Sequence, residues 1–484
     1  MSAADLAPRL RARALALVLS VLLALGAVPA SATQAQTTAT AVAPASGAAA
    51  AAAATADVAP IAEAYLLLVE HYAVPLDPAR LVAAGETAMA AALGAAGTDV
   101  SAKDATAYGT GTVEQFAALQ DQYQALVASH GGTLSAQTLA HAAIQGMADS
   151  LGDPHTSFYT PAEYQEELRW QRGDARYAGI GVRLHGPQAT VQEVFPGSPA
   201  ERAGLQPGDT LVAVNGQLTQ DLKLADVVKL VRGDEGTPLV LGVLRAGSDR
   251  VEAITLTRAQ IAAPLVTARR LAGDVGYVQL RGFPEATLVG QVVQAIREQQ
   301  QAGVRGIVLD LRGNGGGRIV VGEQLLASFV PNGPIYQSVD RQGRRDVHQV
   351  RNARPLLTVP LVVLVDAGTA SMAEIFAAAI QERGVGRVIG ETTAGAVAAS
   401  RIIPLSDGSA LQFSVEQVFS GAGALLDGVG VRPDDEVALD LDALRQGRDT
   451  QLESAVSYLL AAPNAGAGAG AAVAPIRIDP AVAR

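Results

Sequence analysis

The chain has 484 residues, 49% of them apolar and 17% charged, with a formal net charge of −11. Such a length predicts two or three domains rather than one, and an acidic chain without a basic block excludes a protein that works by neutralising nucleic-acid phosphates. The absence of cysteine excludes disulfides, thiolate catalysis and cysteine-ligated metal sites.

Arg9, Arg11 and Arg13 precede the apolar run Ala14–Val28, and Ala30 and Ala32 stand in small-residue cleavage positions. The run, at about 15 residues, is short for a membrane span. Residues 1–32 are therefore predicted to be a secretory signal peptide, which makes the mature protein periplasmic or secreted with no stable membrane span. Residues 33–57, mostly Ala, Thr and Val, read as a disordered spacer.

From 58 to 172 the spacing predicts a helical domain. "IAEAYLLLVEHYAVP", "LVAAGETAMAAAL" and "TLAHAAIQGMADSL" carry helical apolar periodicity, and residues 94–112 between the last two read as a loop. Asp153-Pro154 in "GDPHTSFYTP" ends the third helix. Residues 173–260 read as short strands with one clear helix, "LADVVKLVRG", and with the Pro-Gly-punctuated stretch 196–209. Residues 261–445 alternate strands ("VGYVQL", "GIVLDL", "LVVLVD", "RVIG") with helices, the pattern of an α/β core. Residues 446–484 are predicted to add a helix and a flexible tail.

Two strand ends carry the candidate chemistry. "GIVLDL" runs into "RGNGGG" (312–317), where consecutive glycines let the backbone approach another group closely and present N–H donors. No Lys-Ser/Thr follows, so a P-loop is excluded and an oxyanion hole fits. "PLVVLVD" runs into "AGTASMAEIF", where Ser371 and Glu374 have the spacing of a helix capping box. A serine at such a strand-to-helix turn is also placed to act as a nucleophile, because the helix N-terminus favours developing negative charge.

Residues 173–260 resemble a PDZ domain of the bacterial protease type. The resemblance implies that the loop Gly179, Ile180, Gly181 and Val182 receives a peptide C-terminus. Together with "DPHTSFYTP", "DLRGNGGG", "GTASMAEIF", "DGSALQ" and "GVGVRPD" in that order, the chain resembles the carboxyl-terminal processing proteases of the S41 serine-peptidase family over roughly residues 60–445. The resemblance implies a multidomain α/β protein: a crotonase-like α/β catalytic core, a mostly β PDZ domain and the N-terminal helical domain. It also implies endopeptidase activity on polypeptides with exposed C-termini, with Ser371 as nucleophile, the N–H groups of Gly317 and Met372 as oxyanion donors, and no metal or cofactor. A homo-oligomer is compatible with it.

The chain departs from the family at two positions. Most members carry a lysine base in the turn after "VIGE"; here that position is Ala396, and the glutamine that usually follows is Ser400. The only lysines are Lys103, Lys223 and Lys229, none in the catalytic segment. A serine without a base is a weak nucleophile, and histidine is the side chain suited to replace it at neutral pH. Of the six histidines, His71 and His141 fall in helical patterns, His130 and His348 in loops, and His185 after a PDZ strand. His155 lies in "GDPHT", where the tricorn-like branch of the family places its catalytic histidine. In the same branch a glutamate precedes the "GVxPD" motif; the matching residue here is the shorter Asp427, whose reach must come from the backbone, with Asp434 and Asp366 as the next candidates. The rival readings are a non-catalytic PDZ protein that captures C-termini, and an esterase on the same core.

Overall fold

The computed structural model describes residues 45–98 and 111–461, apart from 175, 187, 246, 247, 249 and 263, together with a few positions between 9 and 17. The expected signal peptide, residues 33–44 of the spacer, Lys103 and the tail beyond 461 therefore lie wholly or almost wholly outside the described residues. No helix among the described residues is long and apolar enough to cross a membrane.

Four helices open the fold: α1 Ala45–His71, α2 Pro78–Ala95, α3 Thr112–His130 and α4 Ala136–Asp149. Helix α1 extends back over residues 45–57, which the composition had marked as a structureless spacer. Helix α2 starts where Pro78 presets the first turn and Asp77 caps it, its carboxylate accepting from Ala79 N–H at 3.0 Å. Helix α3 escapes the periodicity argument because buried Gln115, Gln120 and Gln122 interrupt the apolar stripe of Phe116, Leu119, Tyr123 and Leu126. His130 is its last residue rather than part of a loop.

The segment after α4 leaves the bundle. Residues Ser157–Tyr159 form β1, which pairs antiparallel with a distant strand, Phe158 opposite Leu411. Helix α5, Pro161–Gln171, follows, with the Thr160–Glu163 capping box at its start and no fully buried residue.

Strands β2 Arg176–Gly179, β3 Val182–His185, β4 Thr190–Val194, β5 Thr210–Val214 and β6 Gln217–Leu218 make up the first part of the PDZ domain, with the one-turn helix α6, Pro199–Arg202, between β4 and β5. Helix α7, Leu224–Val231, and strands β7 Pro238–Leu244, β8 Val251–Thr257 and β9 Ala259–Ala262 complete it. The main sheet runs β3-β4-β5-β7-β8, with β3 at one edge, and β2 pairs with β9.

The catalytic unit holds two sheets. Strands β10 Val266–Leu271 and β11 Val275–Leu280, helix α8 Thr287–Gln301, strand β12 Gly306–Asp310 and helix α9 Ile319–Leu326 come first. The hairpin β13 Gly333–Asp340 and β14 Arg345–Val350 is followed by β15 Leu361–Val365, α10 Met372–Glu382 and β16 Arg387–Gly390. Strands β17 Ala398–Pro404, β18 Ala410–Ser420 and β19 Asp435–Glu436 and helices α11 Leu441–Arg445 and α12 Thr450–Ala461 end the described chain.

The first sheet runs β10-β11-β12-β15-β16-β19 and is parallel except at β10. Strands β12 and β15 are buried at every residue, as expected of strands covered on both faces. Phe283, Leu325, Phe329 and Phe376 pack on one face, and Ala455 and Leu459 of α12 on the other. The helix expected after residue 446 is thus part of this core.

The second sheet, β1-β18-β13-β14 with β17 on β18, joins the helical bundle to the catalytic unit. Ile403, Leu411 and Phe413 from it, with Leu405 just after β17, share one cluster with Tyr65, Met89 and Phe116. His348 lies in β14, hydrogen-bonded to Tyr336 and Glu323, so it is not a loop residue either. His141 pairs with Asp407 across this joint at 2.7 Å.

Candidate active site

Adjacent parallel strands β12 and β15 end side by side, so the turns that follow them meet at the carboxyl edge of the sheet, the usual site of function in such folds. The turn after β15 carries Ser371 into α10 with φ 57° and ψ −124°. A left-handed φ is rare outside glycine and is strained; here it projects a half-buried serine from the helix N-terminus.

The turn after β12 closes on this serine. A Cβ on Gly316 (φ +91°) would meet Ser371 Cβ at 2.6 Å and Met372 N at 2.9 Å, so no larger residue fits. Gly317 (φ +137°) bridges Phe283: Phe283 N–H donates to Gly316 O and Arg318 N–H to Phe283 O, each at 2.8 Å. Those two bonds straddle Gly317 and leave its own N–H facing away from Phe283. Among the described residues, neither Gly317 nor Met372 donates its N–H to a protein acceptor.

The loop is held at nearly every residue. Gly313 N–H donates to Asp366 Oδ1 at 2.8 Å, Asn314 Nδ2 to Leu280 O at 2.9 Å, Gly316 N–H to Asn314 Oδ1 at 2.9 Å, and Ala370 N–H to Asn314 O at 2.9 Å. Asp366 also accepts from Gly368 N–H, and Asp434 accepts from Val388 N–H at 2.8 Å. Each of these carboxylates thus accepts from the backbone, as Asp427 does from Val397 N–H.

The lysine-free turn sits against the serine. Ser371 N–H donates to Ala396 O at 2.8 Å. Glu374, fully buried, takes four donors: Ser371 N–H at 3.0 Å and Ala396 N–H at 3.0 Å on one oxygen, and Gly395 N–H at 2.8 Å and the Thr393 hydroxyl on the other. Burial raises its pKa and the four donors oppose that rise. Glu374 makes the capping-box bond to Ser371 N–H that its spacing predicts, and the fold also makes it the clamp between the serine and the 393–396 turn. Glu374→Gln would set an NH2 group against two of those donors, so kcat is expected to fall roughly 10²-fold from a misplaced serine, with PDZ peptide affinity unchanged. Steady-state kinetics beside peptide titration checks this.

The turn reaches the other candidates from its far side. Asp427, exposed, accepts from Val397 N–H at 3.2 Å and raises the pKa of Tyr72 electrostatically, after burial and Asp153. Tyr72 OH donates to Asp153 Oδ2 at 2.9 Å, Ser414 Oγ donates to the same oxygen at 2.7 Å, and His155 N–H donates to Asp153 Oδ1 at 2.8 Å. Burial alone would raise the Asp153 carboxyl, but the Thr156 hydroxyl, at 2.7 Å, and then these donors hold it below its usual range. His155 Nε2 is buried without a hydrogen-bond partner. Backbone contacts thus link Ser371 and Asp427 through the 396–397 turn, and Asp153 holds the His155 backbone beside Tyr72 and Ser414 of β18. No hydrogen bond joins the three side chains directly among the described residues.

Gly179, Ile180, Gly181 and Val182 line a cleft of about 60 Å³ between β3 and α7, closed by Leu184, Val228, Val231 and Arg232. Strand β3 presents Val182 and Leu184 to this cleft. Its alternate residues face the catalytic unit, where Arg183 Nη1 donates to Arg312 O at 2.6 Å and His185 lies 3.6 Å from Glu391.

Residues 274–437 match the model of Peptidase family S41, and residues 190–245 that of a PDZ domain. The chain is 31% identical over 329 residues to a carboxyl-terminal-processing protease of Synechocystis sp., covering 66% of this chain and 76% of that one. It is 30% identical over 322 residues to the carboxy-terminal processing protease CtpA of Bacillus subtilis, covering 66% and 68%. Among solved structures it is similar to the photosystem II D1 C-terminal processing protease, with a TM-score of 0.54 and 26% identity over 84% of this chain and 97% of that one.

Proposed function

The chain belongs to peptidase family S41 and is a serine-type peptidase with a PDZ domain, and we propose that it is a serine endopeptidase in which Ser371 attacks the peptide carbonyl with His155, not lysine, as base. The observation that carries the reading is the strained Ser371 at the start of α10, packed against Gly316 with the Gly317 and Met372 amides unspent. His155 takes the Ser371 hydroxyl proton as Oγ bonds to the carbonyl carbon. The oxyanion is held by the Gly317 and Met372 N–H groups. The imidazolium then protonates the leaving amine, and water, deprotonated by the same ring, releases the acyl group. Asp427 orients the ring. An unpaired buried Nε2 supports this assignment, since buried polar atoms ordinarily have partners.

In this reading the substrates are polypeptides whose C-termini add to the edge of β3, with the carboxylate at Gly179–Val182 and an apolar side chain in the cleft of Leu184 and Val231. The protein is exported, and N-terminal sequencing of the mature chain is expected to begin at Thr33; a chain that retains residues 1–32 would refute export by cleavage.

The test of the activity is labelling of the folded protein by a fluorophosphonate probe, with and without a C-terminal peptide. Label mapped to Ser371 is expected. An unlabelled protein that still binds the peptide would instead make this chain a C-terminus-capturing module.

A further inference from the structure

Arg312, the first residue of the glycine loop, is tied to the C-terminal segment. Its guanidinium is almost fully buried and uses all five of its N–H donors. Nε and one Nη2 hydrogen go to Asp310, at 3.0 and 2.7 Å. The remaining Nη2 and one Nη1 hydrogen form a bidentate pair with Asp449, at 2.8 and 3.0 Å, and the last goes to Gln451 Oε1 at 2.9 Å.

The two carboxylates are not equivalent. Asp310 ends β12, two residues before Arg312, and accepts from Tyr277 OH at 2.8 Å, so it ties the guanidinium to the sheet from which the loop springs. Asp449 and Gln451 belong to another element. Asp449 accepts from Leu452 N–H at 3.0 Å in the first turn of α12, and Gln451 Nε2 donates to Val437 O at 2.9 Å. Helix α12 is itself anchored by Ala455 and Leu459 against Val308 and Val362, which lie on β12 and β15. Through Arg312 the C-terminal segment thus holds the start of the loop from outside the strand that bears it.

We propose that Asp449, assisted by Gln451, is a positioning residue for the oxyanion site, acting through Arg312 on the loop that presents the Gly317 N–H. This rests on the reading of Gly317 as an oxyanion donor. Asp310 fixes the guanidinium to the sheet; Asp449 adds a second tie, to the helix that covers the face of that sheet, so the amide is held in place before charge develops on the substrate.

The test uses the full chain and a peptide aldehyde, whose hemiacetal with a serine places an oxygen where the oxyanion forms. Asp449→Asn is expected to lower kcat and aldehyde affinity together by about tenfold or more, with KM and PDZ peptide affinity unchanged, well below the unfolding temperature. Leu459→Ala loosens the same helix through packing alone and is expected to lower Tm without that kinetic signature. Unchanged aldehyde affinity in folded Asp449→Asn overturns the proposal, as does Leu459→Ala reproducing the loss. A wild-type protein that neither cleaves peptide nor binds the aldehyde overturns the oxyanion reading itself, and the proposal with it.

Discussion

Ser371→Ala is expected to lower kcat by about 10⁴-fold or more and to abolish fluorophosphonate labelling, with Tm and PDZ peptide affinity close to wild type. The side chain is half-buried, and the bonds that shape the turn come from the Ser371 backbone, to Ala396 O and Glu374, so removing a hydroxyl leaves them in place. Alanine must adopt the same φ 57° as serine and has the same Cβ, so the backbone strain of about 1–3 kcal/mol is common to both. Undiminished turnover in this variant would remove Ser371 from the chemistry and leave the glycine loop without a reacting partner.

His155→Ala is the second large effect, a fall of about 10³–10⁴-fold in kcat with KM little changed. Its partner experiment uses the position where the family resemblance expects a base. Ala396 is bonded through its C=O to Ser371 and through its N–H to Glu374, so a side chain there starts next to the nucleophile. His155→Ala combined with Ala396→Lys is expected to recover part of the lost rate. An ordinary lysine titrates near about 10.4 and must lose its proton to serve as base, so the recovered activity should climb into the alkaline range. A His155→Ala enzyme as active as wild type would leave the proton transfer to some other group.

Family membership and the strand-to-helix placement of Ser371 were legible in the sequence because they are local. A buried strand, a glycine turn and an S-x-x-E helix start within a few residues of one another, and each reads from its own chemistry. The same holds for the PDZ edge and its Gly-Ile-Gly-Val loop. Helix α3 was hidden because buried glutamines blurred its stripe, and the hairpin β13–β14 and strands β17–β18 because half-buried strands mix polar and apolar residues.

Whatever depended on pairing distant segments was decided only by the tertiary structure. His155 comes to the catalytic unit because β1, two residues later, pairs with β18 about 250 residues away, and Phe158 opposite Leu411 sets that register. Glu374 reads as a cap alone until the 393–396 turn folds over it, and only the fold shows that Asp366, Asp427 and Asp434 each accept from a backbone amide. Asp449 carries no local signal at all. Its meaning comes from Arg312, 137 positions earlier, which must bury a charge and has to find every donor a partner. Sequence determines which residues can do chemistry at a turn; burial and long-range pairing decide which of them are free to do it.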